Sequence, residues 1–504
     1  MPVSDRRKVR KFSDQRAAVF AEHRISEAMS ALFTERGSGD TALCTVRPSP
    51  MRRPLNSPVD TMTVLLLALN EVNFDSLRAY VAMGKLPALG KLIADHGVSE
   101  TSSEQRYEEL EPWIQWVTAQ TGLTLAEHGV FRLGDIVQKD IPQIWEVLEN
   151  QGLTVGAISP MNAKNRCSRA AFFVPDPWTE TAVTASPLMR KFYQAVARFV
   201  NENATSSVTM SSAFWLALGV AAYARPINYG RYLSLVLGAF AGRPWARALV
   251  LDLILADIFV RQVRRAKVDF ASLFLNAAAH IQHHYMFNSK VYEGPRANPE
   301  WYISSRHDPV LAVYSLYDMI VAQIQQRFPS ARLMLATGLH QDPHKETTFY
   351  WRLKDHREFL EKIGVSPSRI QPLMSRDFII QFADSEAAAL AERRLAAVRS
   401  ADGAPLFEID NRGQDLFVML VWPHDIAPDF TYLVDGEVRH GLRDLVAFVA
   451  IKNGRHNGVG YLLDTGSLKG EGDVLPLTQL PARIAEACGV AWPLNERAAL
   501  DTAA

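Results

Sequence analysis

Apolar positions along the chain fall into two rhythms. Short unbroken apolar runs mark strands covered on both faces: TVLLLAL at 63–69, LTVGAISP at 153–160, VDFASLFLN at 268–276 and ARLMLATG at 331–338. Between them the spacing turns helical: NFDSL through Tyr80, then LPALGKLIADHG closed by Gly97, IPQIWEVLENQG closed by Gly152, and Val310–Phe328. This strand–helix alternation predicts an α/β sheet with helices on both faces. From Ser186 to Lys267 the pattern is almost wholly helical, broken at Pro226 and around Gly242–Pro244, as in an inserted cap. Residues 376–440 read differently. DFIIQFAD, the helical SEAAALAERRLAAVRS, LFEIDNRG and DLFVMLVWP form a β-α-β-β unit with a tight Asn-Arg-Gly turn, a small α+β insertion. KNGRHNGVGYLLDTG then reads as a loop followed by a short strand.

These patterns divide the chain at 1–61 (a basic, disordered leader), 62–185 (core), 186–267 (helical cap), 268–375 (core), 376–440 (α+β insertion), 441–490 (core completion) and 491–504 (tail). The leader carries no long apolar segment of the secretory kind, and Met62 directly before the first strand offers an alternative start of translation.

Composition narrows the partners. Lys+Arg and Asp+Glu are both 54, so nothing in the net charge favours nucleic acid or an anionic membrane. Ala213–Ala224 is too short to span a bilayer, and Trp245–Val260 carries Arg247, Asp252 and Asp257. Buried or cap helices are the expectation there, with peripheral membrane contact as the alternative. Three scattered cysteines without a CxxC pair fit a reducing, cytoplasmic setting. Oligomeric state is not legible.

Candidate chemistry gathers where strands end, which is where open α/β sheets bind ligands. Asn70 and Glu71 follow the first strand. FLNAAAHIQHHYMF places His280, His283 and His284 after another, Thr337–His340 follow a third, and His456 lies between glycines before the last. Histidines three or four apart share a helical face, and neutral imidazole ligates zinc. An isolated H-x-x-H is more often a hydrated helix start. Asp342, His344 and Glu346 are explained by a solvated loop, and Trp113 with Trp116 by core packing.

The order of these stretches resembles the alkaline phosphatase superfamily, within it the type I phosphodiesterase/nucleotide pyrophosphatase group, over Thr63–Gly466. LLLALNEVNFDSL precedes GKLPALGKLIADHG, and EPWIQWVTAQTGLTLAEHGVF matches the nucleophile segment in Trp116, Thr118, Thr121, Gly122, His128 and Gly129. AHIQHHYM, ATGLHQDP and GRHNGVGYLLDTG follow in family order. The resemblance implies an alkaline-phosphatase-like layered sheet and a metal-dependent hydrolase of phosphate or sulfate esters.

Departures fall on the chemistry. Asn70 stands where the family has a ligand Asp, Pro112 at the nucleophile, Ala279 for a ligand Asp, and Gly338 and Leu339 for an Asp-His pair; only His283 and His456 carry over. The expected metal set is therefore Glu71, His283 and His456, with His280, His284 or His340 filling a vacancy. It would hold one divalent ion rather than two, zinc with manganese as the alternative. Glu111 would serve as base on a metal-activated water, with Thr118 the other nearby reactive group. The competing expectation is a binding or scaffold protein that keeps the fold without the chemistry.

Overall fold

Strand Val64–Leu69 is buried along its whole length, and its side chains alternate between two cores. Leu65, Leu67 and Leu69 enter the apolar cluster on one face of the sheet; Val64, Leu66 and Ala68 enter the cluster on the other. Phe270–Leu275 does the same, with Ala271, Leu273 and Leu275 on the first face and Phe270 and Phe274 on the second. A sheet with two greasy faces needs helices on both sides, which explains the unbroken apolar runs. The structure is a computed structural model describing residues 62–201, 210–373, 376–467 and 474–493. The leader 1–61, including Cys44, and the tail from 494 lie outside the described residues.

The central sheet has eight strands in the order Leu475–Pro476, Ser99–Ser102, Val459–Asp464, Arg332–Ala336, Val64–Leu69, Phe270–Leu275, Val155–Ile158 and Phe172–Val174. The five from Arg332–Ala336 to Phe172–Val174 run parallel. Val459–Asp464 runs antiparallel to both of its neighbours. Leu69 pairs with Leu275, and Ala68 with Ala336, so Asn70, Asn276 and Thr337 emerge together at one rim. Main-chain bonds from Asn70 N–H to Leu275 O (3.0 Å) and from Glu71 N–H to Thr337 O (3.2 Å) tie the three strand ends together.

The segment from 186 to 267 forms helices Pro187–Asn201, Met210–Tyr223, Tyr229–Phe240 and Ala246–Ala266, broken at Pro226–Asn228 and at the turn before Trp245. Among the described residues no helix is long and apolar enough to cross a membrane.

A second module has a core of its own. Four antiparallel strands, in the order Phe407–Asn411, Asp415–Leu420, Asp377–Gln381 and Arg369–Pro372, pack with helix Ser385–Ala396. The tight turn reverses at Gly413, whose φ of +90° suits glycine. This core also takes in Trp351, Leu353, Phe359 and Leu360, so it reaches back before residue 376. A two-stranded ribbon, His340–Leu353 with Val446–Asn457, links the module to the rim of the main sheet.

Candidate metal centre at the sheet rim

Glu71 is the keystone of the rim. It is 1% exposed and sits at φ +60°, a left-handed conformation that costs a non-glycine residue about 1 kcal/mol or more. Its backbone is held by the bond to Thr337 and by Gln282 Nε2, which donates to Glu71 O at 2.6 Å. Asn70 Nδ2 donates to Oε1 at 3.0 Å and Gln341 Nε2 donates to Oε2 at 2.5 Å. The turn therefore forces the carboxylate into a fixed orientation.

Oε2 of Glu71 faces two imidazoles from distant parts of the chain. It lies 3.3 Å from His283 Nε2 and 3.2 Å from His456 Nε2, and those two nitrogens are 3.3 Å apart. Glu71, His283 and His456 form the one group of metal-ligating side chains within mutual reach among the described residues. Burial by itself would raise the Glu71 pKa, but the two imidazoles hold it far below the usual carboxylate range. Burial drives His283 below the ordinary histidine value despite Glu71 beside it. For His456 burial also opposes charge, but Glu71 and then Glu111 outweigh it and raise the pKa.

His283 is delivered by helix Ala277–Tyr285. The buried Asp252 carboxylate anchors the start of that helix, accepting from Asn276 N (3.3 Å), Ala277 N (2.8 Å) and Tyr317 Oη (2.6 Å). Gln282 steadies the same turn, accepting from Tyr314 Oη and from Asn73 N at 3.1 Å.

His456 was expected in a glycine-rich loop; it lies instead on strand Val446–Asn457, paired with Gln341. The glycines are there for close approach. A Cβ on Gly454 would meet Gln341 Oε1 at 1.9 Å, and one on Gly458 would meet Glu104 O at 2.8 Å. Just before this point the register jumps from Lys452↔Thr348 to Gly454↔Pro343, leaving His344 and Glu346 off the ladder.

The other expected residues are placed elsewhere. His280 and His284 lean on each other, ring centroids 4.6 Å apart, and do not join the Glu71 group. His340 bonds through Nδ1 to Val459 O (2.6 Å) and through Nε2 to Asp342 Oδ1 (3.1 Å). Thr118 is buried and turned to His128. Val130 N–H donates to His128 Nδ1 (3.0 Å), so the ring proton is on Nε2 and donates to Thr118 Oγ1 (3.2 Å). Glu111 precedes helix Pro112–Thr121 and lies behind the centre, its Oε2 3.7 Å from His456 Nδ1. Burial raises its pKa, with His456 opposing.

Sequence reading flagged Asn70 but missed Gln282 and Gln341, which complete the polar frame with it. Both directly adjoin flagged histidines, His283 and His340, which was the available signal. It also missed the role of Trp116, whose Nε1 donates to Asn70 Oδ1 at 2.7 Å. The same indole lies 3.1 Å from where a Cβ on Gly338 would be.

Beside the centre is a cationic shelf. Lys452 Nζ donates to Tyr107 Oη at 3.4 Å, Arg455 lies 5.3 Å over the Tyr107 ring, and Arg376 lies 4.2 Å over Tyr350.

No family model and no curated protein matches this sequence. Solved structures are similar at low identity. Phosphonoacetate hydrolase from Sinorhizobium meliloti 1021 has a TM-score of 0.41 at 12% identity, over 85% of this chain and 96% of that one. Human ectonucleotide pyrophosphatase/phosphodiesterase 5 has 0.39 at 10%, over 85% and 95%. The alkaline phosphatase PafA has 0.41 at 10%, over 85% and 96%. The chain resembles them.

Proposed function

We propose that this chain is a hydrolase of phosphate or related esters that works with one divalent cation, zinc, held by Glu71, His283 and His456. The observation that carries the proposal is the triangle of donor atoms, with edges of 3.3, 3.2 and 3.3 Å. A tetrahedron with metal–ligand bonds of about 2.05 Å has edges of about 3.35 Å, so three corners match and the fourth is left for water or substrate. Octahedral sites with bonds of about 2.1 Å have edges near 3.0 Å and fit less well.

A bound dication at this place supplies positive charge that polarises the ester oxygen and acidifies water. Everything else falls to the chain's own side chains. Asn70, Gln341 and Gln282 hold Glu71, while Glu111 faces Nδ1 of His456 and favours the tautomer with Nε2 free to ligate. On this reading the Glu111 carboxylate acts from behind the ligand as a positioning residue, the alternative to the general-base role expected from sequence. Lys452, Arg455 and Arg376 provide the charge that attracts an anionic ester. Thr118, committed to His128, takes no part, and Pro112 offers no nucleophile, so attack falls to water.

One ion is proposed because the positions at which the resemblance would put a second ion's ligands are engaged otherwise. Asn70 spends its amide on Glu71, Asn276 and Trp116, and the Trp116 indole lies against Gly338. Cys167 and Cys488 are both free, and burial pushes both thiols up to about 12.

The test is His456→Ala, measured for metal content and for hydrolysis of aryl phosphate mono- and diesters. Both should fall together, with folding retained. Hydrolysis surviving intact would end the proposal, and wild-type protein without metal or activity would favour the scaffold alternative.

A further inference from the structure

The ribbon that delivers His456 has two unlike faces. Tyr350 pairs with Ala450 and Thr348 with Lys452, so Tyr350 and Lys452 share one face. The other face carries Phe349, Trp351 and Phe448, with Phe448 ring centroids 6.0 Å from Phe349 and 5.6 Å from Trp351. That side belongs to the core of the α+β module. The first side is the cationic shelf, and three separate elements build it. Lys452 and Arg455 come from the ribbon and meet Tyr107, which lies in the turn before Glu111. Arg376 comes from the α+β module. Its carbonyl accepts from Leu420 N at 3.2 Å and its Nη1 donates to Leu420 O at 3.5 Å, which sets the guanidinium over the Tyr350 ring.

The three cations are half-buried, and among the described residues none of them forms an ion pair. Burial, then Arg376, lowers the Lys452 pKa; Glu111 opposes and Arg455 adds to the fall. Like charges crowded at a half-buried place are costly, and a bound anion relieves that cost.

The shelf adjoins the metal centre and extends beyond it. Glu111 Oε2 is 3.7 Å from His456 Nδ1, and the Lys452 charge acts on Glu111, His283 and His456 alike. Yet Lys452 is four positions from His456, and Ala450, the partner of Tyr350, is six. Those steps are up to about 13 and about 20 Å of extended strand. One phosphate group on the metal does not cover that span. Resting on the hydrolase reading above, we infer that Lys452, Arg455 and Arg376 bind a second anionic group of the substrate, carried several bonds away on the leaving alcohol. The substrate class is then a phosphate monoester whose alcohol bears a carboxylate or a second phosphate, and the α+β module sets that preference through Arg376.

The experiment takes the full chain, zinc-loaded, and two matched pairs of probes. 4-Carboxyphenyl phosphate and its neutral isostere 4-carbamoylphenyl phosphate are compared in kcat/KM. The corresponding benzylphosphonates, which are not hydrolysed, are compared in Kd by calorimetry. The carboxylate should be preferred at least about tenfold in both, as one hydrogen bond to a charged group provides, and less so at about 0.5 M salt. Arg376→Ala and Lys452→Ala should each cut that ratio at least about fivefold, with melting temperature and zinc content read on the same samples. Equal Kd values for the two phosphonates, or a preference that survives both substitutions, would overturn the inference. Hydrolysis of neither ester beside a tenfold phosphonate preference would end the hydrolase reading and uphold the anion subsite. Hydrolysis of both esters at equal kcat/KM with equal Kd values would do the reverse.

Discussion

Replacing Glu71 by Gln changes one oxygen to an NH2 group at the most constrained point of the rim. Asn70 Nδ2 and Gln341 Nε2 donate to different oxygens of this carboxylate. An amide has one oxygen, so one buried donor is left facing another donor, at a cost of about 1–3 kcal/mol. Loss of the pairing between the carboxylate and the two imidazoles adds to that, and the metal-free variant should melt at least about 1–3 °C below wild type for a chain of this size. Metal binding should suffer far more. A neutral amide is a poor zinc ligand, and because losing a mere supporting residue costs about 10–100-fold in metal affinity, losing this ligand should cost more than about 100-fold. The assay is thermal melting after chelation, with and without added zinc. At zinc about 100 times its Kd, wild type should gain about 2.7 kcal/mol, an upward shift of about 3 °C, and Glu71→Gln should gain none. A variant that keeps the full zinc shift would refute the idea that Glu71 is a ligand.

Further outcomes follow from neighbouring contacts. Gly454→Ala puts a methyl group 1.9 Å from Gln341 Oε1, so Gln341 must leave Glu71, and zinc affinity should fall by about 10–100-fold in a titration while far-ultraviolet circular dichroism is unchanged. His128 has its pKa lowered from 6.5 to about 4, chiefly by burial. Its folded value lies below the unfolded one, so its contribution is complete above about pH 6.5 and lost as pH falls towards 4, about 3 kcal/mol in all. Urea midpoints measured at several pH values should drop through this window in wild type and drop less in His128→Gln; identical profiles would contradict the assignment.

Strand and helix positions in the main sheet were legible because burial on both faces leaves a simple signature. TVLLLAL and VDFASLFLN can hardly be anything but covered strands. The cluster was half legible. Strand ends pointed to Glu71, His283 and His456, but spacing alone made His280 and His284 equal candidates, since neighbours on a helix share a face until tertiary contacts choose one. His456 looked like part of a loop because Gly454 and Gly458 usually mark turns. Here they make room for Gln341 and Glu104, and only the folded chain shows that. The role of Trp116 was illegible for a related reason. A tryptophan in an apolar helix reads as core, and its bond to Asn70 spans 46 positions of sequence. The α+β module was recognisable from 376 onward, but its apolar residues Trp351 and Phe359 belong to stretches whose local pattern says nothing of the distant core they join.

The central claim is that two imidazoles and one carboxylate surround a single cation at this rim. X-ray absorption at the zinc edge, on protein loaded after chelation and quantified for metal, tests it most directly. One zinc per chain is expected, with two histidine nitrogens among about four N/O neighbours near 2.0 Å, and the imidazole signal weakened in both His283→Ala and His456→Ala. Less than about a tenth of an equivalent, or a zinc shell without imidazole, would contradict the account.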